Sequence, residues 1–148
     1  MRRKSSAVWN GTGLEGSGNL SSTSGVLNKT PYSFVSRFKN EDGTIGTNPE
    51  ELIAAAHAGC YSMALSFQLT NAGFVPTELK TEAIVNMENM DGGFVITNIE
   101  LVLTGDVPDI SEEKFLELAT VAKENCPVSK ALKAVDITLT ANLKNKSP

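Results

Sequence analysis

The sequence predicts an α+β domain in which helices pack on antiparallel sheet. Three observations predict it. Residues 48–70 and 111–125 carry apolar residues at helical spacing behind capping residues. Two strand-like runs, "ELKTEAIVNMENM" and "FVITNIELVLTG", are separated only by the turn residues "DGG". A last alternating run, "AVDITLTANL", follows the second helix.

At 148 residues the chain suits one domain, residues 1–148, large enough to bury most of its apolar surface. Apolar content of 41% and charged content of 20% are ordinary for a globular protein. A net charge of −4 and a pI near 5.0 argue against a nucleic-acid surface, which needs clustered Lys and Arg. The start "MRRKSSAVWNGTG" has basic residues with no apolar run behind them, unlike a secretory signal. The apolar-leaning segment from Leu52 to Leu69 is broken by His57, Ser62, Ser66 and Gln68, which argues against a membrane span. A cytoplasmic location is therefore expected.

Along the chain, "SAVWN" is strand-like, and "GTGLEGSGNLSSTSG" (residues 11–25) reads as a turn and a short strand. "PYSFVSRF" alternates Tyr32, Phe34, Ser36 and Phe38 on one face, which predicts a strand with Arg37, Ser33 and Val35 on the other. "KNEDGTIGTN" is an exposed loop. The first helix opens with Asn48 as N-cap, Pro49 at the first helical position and Glu51 as capping-box partner. Leu52, Ala56, Cys60, Met63 and Phe67 form its expected inward stripe, and "NAG" at 71–73 ends it. The second helix opens with Ser111 and two acids, turning Phe115, Leu118, Ala119, Ala122 and Cys126 to one face. Pro127 disfavours helix at Cys126, so "PVSKAL" begins a fresh short helix.

Four residue types bear on chemistry. Cys60 and Cys126 are the two cysteines, and count alone favours inert core thiols over a redox couple. Cys60 lies mid-helix, where no free N–H groups help it ionise. Cys126 lies where a helix begins, so local physics nominates Cys126 as the nucleophile. His57, one turn before Cys60, reads as a general base, as a metal ligand short of companions, or as a hydrogen-bonded structural residue. Arg37 reads as a surface residue with a packed stem, or as a guanidinium needing a thiolate or a carboxylate. Glu50, ten residues before Cys60, is about 80° round the helix and about 15 Å away. It reads as an N-terminal acid favoured by the helix dipole, or as a carboxylate that reaches a thiol through Arg37 or in a second chain.

"SGVLNKTPYSFVSRF", "GTNPEELIAAAHAGCYSMALS", "GFVPTELKTEA", "GGFVITNIEL" and "CPVSKALKAVDITL" together resemble the OsmC/Ohr family of thiol-dependent hydroperoxide reductases. The similarity runs in order over nearly the whole chain, and His57 suits the OsmC branch. Gly59 stands where alanine is more common. The resemblance implies an OsmC-like fold of antiparallel sheets with two main helices in an intertwined homodimer, with sites at the subunit interface. It implies Cys60 as peroxidatic cysteine, Cys126 as resolving cysteine, Arg37 as the residue that activates the thiolate and Glu50 as the carboxylate that orients Arg37. It further implies reduction of organic hydroperoxides, and more slowly hydrogen peroxide, through a Cys60 sulfenate and a Cys60–Cys126 disulfide. The setting would be oxidative or osmotic stress defence. An external dithiol reductant, lipoyl-type dithiols included, would reset the pair, with no metal or other cofactor and no nucleic-acid or membrane partner. Two other readings compete: a non-enzymatic dimer binding a small apolar ligand with inert thiols, and a thiol redox sensor.

Overall fold

The computed structural model describes residues 1–144, and the chain divides into two compact units whose boundary falls between Leu52 and Ile53.

In the first unit, β1 (Ser5–Asn10), β2 (Ser17–Ser22) and β3 (Thr30–Ser33) form an antiparallel sheet in that order. Gly18 lies opposite both Trp9 and Tyr32, and a Cβ there would fall 2.7 Å from the Tyr32 ring and 2.8 Å from the Trp9 ring. Its missing side chain therefore makes room for the two aromatics, whose centroids lie 5.3 Å apart.

The strand expected over "PYSFVSRF" stops at Ser33, and a short helix, α1 (Phe34–Phe38), follows. The Ser36 N–H donates to Ser33 Oγ (3.1 Å) and the Ser33 N–H donates to Ser36 Oγ (2.8 Å). This reciprocal box satisfies two amides locally, and four alternating residues offer the backbone nothing better. Phe34 and Phe38 then share a face by helical spacing, with centroids 4.9 Å apart.

Helix α2 (Pro49–Asn71) begins as expected: the Glu51 N–H donates to Asn48 Oδ1 (2.8 Å). The Glu51 carboxylate does not close the box on Asn48; it accepts from Thr47 Oγ1 (2.9 Å).

The second unit packs α2 and α3 (Glu112–Asn125) on a sheet of β4 (Glu78–Met90), β5 (Gly93–Asp106) and β6 (Asp136–Leu143). β4 and β5 form the expected hairpin, and Asp91 (φ 52°) and Gly92 (φ 81°) take the left-handed conformations of its two-residue turn. β6 joins β5 in parallel rather than antiparallel, so this sheet is mixed. The connection through α3 and α4 (Pro127–Ala131) has the length that a parallel crossover requires. Alternate residues Ile99, Leu101 and Leu103 of β5 are buried, and Phe115, Leu118, Ala119 and Ala122 of α3 join Leu101 and Leu103 in one core on the expected face.

The inward face of α2 is not the expected one. His57, Tyr61, Leu65 and Leu69 are completely enclosed, whereas Met63 (65% exposed) and Phe67 (62%) face outward. The buried stripe is rotated by one residue, about 100°. Hydrogen bonds explain the choice: the Tyr61 hydroxyl donates to the Ala119 carbonyl (3.0 Å) and His57 Nε2 pairs with Ser129, so each polar side chain enters the core with a partner. Cys60 is left at the edge of the buried face. Among the described residues, α2 alone has the length and composition to cross a membrane; its 18-residue apolar window is 22% buried.

Gly105 of β5 is a close approach of helix to sheet, since a Cβ there would lie 2.6 Å from the fully buried Phe115 ring. Gly105→Ala should destabilise the protein by about 1–3 kcal/mol through overpacking. Urea unfolding should show a lower midpoint with an unchanged slope.

Candidate active site

Arg37 and Glu50 meet in the first unit. α1 presents the guanidinium and the first turn of α2 presents the carboxylate. Arg37 Nε donates to both carboxylate oxygens at 3.2 Å, and Nη2 donates to Oε1 at 2.6 Å. The fork grips the carboxylate along one side, a geometry lysine has no means to copy. The guanidinium carbon also lies 4.8 Å from the Phe38 ring centroid. Glu50 is nearly buried while the Arg37 side chain is 34% exposed, and Nη1 makes no hydrogen bond among the described residues. The pair therefore keeps donors free toward an open cleft of about 260 Å³, whose walls include Trp9, Tyr32, Phe34 and Phe38. The loop before α2 is knitted by its own hydrogen bonds, among them Asn40 Nδ2 to the Ile45 carbonyl (3.0 Å) and Thr44 Oγ1 to Asp42 (2.7 Å).

Cys60 and Cys126 meet in the second unit, although 66 positions separate them in sequence. Cys126 is fully enclosed between α3 and α4, and Cys60 is half-buried. Both are free thiols. Burial pushes the Cys60 thiol up, and the neighbouring Cys126 thiol adds to this, while the Val128 backbone N–H donates to the sulfur and pulls it down. The free amide at the start of α4 thus serves Cys60, and Cys126 itself makes no side-chain cap there. Local sequence physics had offered that amide to the wrong cysteine.

His57 Nε2 lies 2.8 Å from Ser129 Oγ, and His57 Nδ1 is buried with no partner among the described residues. Burial lowers its pKa below the ordinary value, which favours the neutral ring. Among the described residues, no three His, Cys, Asp or Glu side chains gather as a metal-holding cluster. Sequence reasoning missed Tyr61, whose hydroxyl donates to the Ala119 carbonyl and whose pKa burial pushes up, and Ser129. The signal for Ser129 was a polar residue at helical spacing from Cys126, and for Tyr61 a polar ring one turn after His57.

The pattern of the family described as OsmC-like protein matches residues 40–140. The chain belongs to the OsmC family. It is 48% identical over 145 residues to Peroxiredoxin OsmC of Escherichia coli K12, covering 98% of this chain and 99% of that one. It is 33% identical over 124 residues to the organic hydroperoxide resistance protein OhrB of Bacillus subtilis, covering 82% and 87%. The crystal structure of that OhrB superposes with a TM-score of 0.67 at 29% identity, covering 95% and 98%. An OsmC-like protein from Mycoplasma pneumoniae, at 17% identity and a TM-score of 0.75 over 98% and 99%, shares the fold.

His57 makes a pH prediction whose sign is fixed. Its folded pKa lies below the ordinary 6.5, so the unfolded chain takes up a proton that the folded chain refuses. Stability is unaffected well above that value and falls as pH drops through it. Urea midpoints followed from about pH 8 to about pH 5 should decline, and His57→Gln should remove the part of the decline that begins near neutrality.

Proposed function

We propose that the chain is a thiol-dependent peroxidase that reduces organic hydroperoxides, and hydrogen peroxide more slowly, in the cytoplasm. The observation that carries the reading is the meeting of the chain's two cysteines, one half-buried and one enclosed. The Escherichia coli relative named a peroxiredoxin and the relatives named organic hydroperoxide resistance proteins support it. In the proposed reaction the Cys60 thiolate attacks the distal peroxide oxygen and the O–O bond breaks. The alkoxide leaves and takes a proton as alcohol, and Cys60 becomes a sulfenic acid. Cys126 condenses with it, releasing water and leaving a Cys60–Cys126 disulfide. An external dithiol then reduces the disulfide by exchange.

Cys60 needs a cation to ionise, because its partial burial and the neighbouring Cys126 both oppose the thiolate. We assign that role to Arg37, oriented by Glu50, in a homodimer of single-domain 1–148 chains. The outward Met63 and Phe67 on an apolar helix favour a second copy of the chain as the cover of α2.

Anaerobic titration of the reduced protein with cumene hydroperoxide should consume about two thiols per peroxide and leave a Cys60–Cys126 link detectable by mass spectrometry. Cys60→Ser should abolish turnover, and Cys126→Ser should consume about one equivalent and then stall or overoxidise. Arg37→Ala should shift the alkylation–pH profile of Cys60 upward, and an unshifted profile would remove Arg37 from the mechanism. Thiols left untouched by peroxide would leave a ligand-binding dimer as the better account.

The dimer has its own test. Sedimentation should find two chains per particle, and Phe67→Glu should weaken that association by at least tenfold, since it sets a charge on an apolar contact face.

A further inference from the structure

One contact beside the thiols has no part in the peroxidase chemistry. His57 stands three residues before Cys60, and Ser129 stands three residues after Cys126. The two segments therefore meet in antiparallel sense, His57 with Ser129 and Cys60 with Cys126, as two rungs about 4.5 Å apart along α2. The upper rung is a 2.8 Å hydrogen bond between a fully enclosed imidazole and a serine that is 6% exposed. Neither side chain has another hydrogen-bond partner among the described residues.

The tautomer follows from the orphaned nitrogen. A buried N–H without an acceptor is the rarer and costlier defect, so the proton sits on Nε2 and is donated to Ser129 Oγ, and Nδ1 keeps a bare lone pair. The bond is made without water competing for it, and its loss would strand the ring's N–H in the core.

The segment it holds cannot hold itself. α4 is five residues long, too short to be stable alone, and Cys126 gives it no side-chain cap. A disulfide needs its two Cα atoms within about 4.4–6.8 Å, so a slip of this segment by one residue along α2 would remove Cys126 from reach.

We propose that His57 and Ser129 are positioning residues that clamp α4 to α2 and so hold the Cys126 thiol opposite Cys60 for disulfide formation. The inference deepens the peroxidase reading and rests on it for the reaction concerned. In that reaction the Cys126 sulfur attacks the sulfenate sulfur of Cys60, the S–S bond forms and the S–O bond breaks. The departing hydroxide leaves as water with the Cys126 proton. A second peroxide competes for the same sulfenate and would carry it to sulfinic acid. The clamp acts on the ratio between the two outcomes.

The test compares wild type, Ser129→Ala and Ser129→Thr during reaction with cumene hydroperoxide. Sulfenate formation should be unchanged in Ser129→Ala, while disulfide formation slows about fivefold and the sulfinate share rises in proportion. Ser129→Thr, which restores the hydroxyl, should return both values toward wild type, a rescue that loss of packing alone would not give. The second arm uses diamide, which closes the same disulfide without peroxide. Slower closure in Ser129→Ala supports the clamp even where wild type ignores peroxide, an outcome that would sink the peroxidase reading by itself. Should Ser129→Ala fail to fold, His57→Phe removes the bond from the α2 side and takes the same two measurements. Equal diamide rates and equal sulfinate shares in a folded variant would overturn the proposal.

Discussion

The structure turns on the decision of which face of α2 enters the core. Two polar side chains, His57 and Tyr61, go in ahead of Met63 and Phe67, and they do so because each finds a partner there. A buried polar group without a partner costs a few kcal/mol, and a satisfied one costs little. Once Ser129 and the Ala119 carbonyl are in place, the inward stripe is fixed at a four-residue spacing through Leu65 and Leu69. Cys60 then falls at the margin of the buried face, and α3 and α4 are drawn onto α2 by the same two hydrogen bonds.

That margin makes the thiol accessible but does not make it reactive. Burial and the adjacent Cys126 raise the Cys60 pKa, and a single amide, that of Val128, works against them. One neutral dipole is a weak counterweight, and a guanidinium brings a full charge. In the proposed mechanism Arg37 supplies that charge, since Glu50 engages only one side of the fork and, among the described residues, Nη1 makes no hydrogen bond. The carboxylate fixes the direction of the arginine, and its own charge is already matched.

Much of the fold was legible because its signals are local. The Asn48 cap, the "DGG" hairpin and the inward face of α3 each depend on residues a few positions apart, and each stands as expected. The failures have a common cause: hydrogen bonds that a hydropathy pattern does not register. Ser33 and Ser36 convert an alternating run into α1, and distant partners turn α2 by one residue. The parallel seating of β6 is a topological matter that its own alternation leaves open. In the candidate site, periodicity offered both cysteines to one core, yet the Arg37–Glu50 pair stood as one alternative among several until the family resemblance selected it, because no spacing rule links a residue on one element to another thirteen positions on. The free amide of α4 was foreseen and assigned to the nearer cysteine, since sequence distance hides that it points across to α2.

Exposure separates the two thiols. In the proposed reaction a dissolved hydroperoxide has to collide with a sulfur before it can react. Cys126 has no exposed surface, so in the proposed reaction that encounter falls to Cys60. On that route the enclosed sulfur would meet only what its neighbour has become. Burial that would disable a first nucleophile suits the resolving role proposed for Cys126. The proposed division of labour between two chemically identical groups thus follows from the same turn of α2 that admitted His57 and Tyr61 and left Cys60 at the edge.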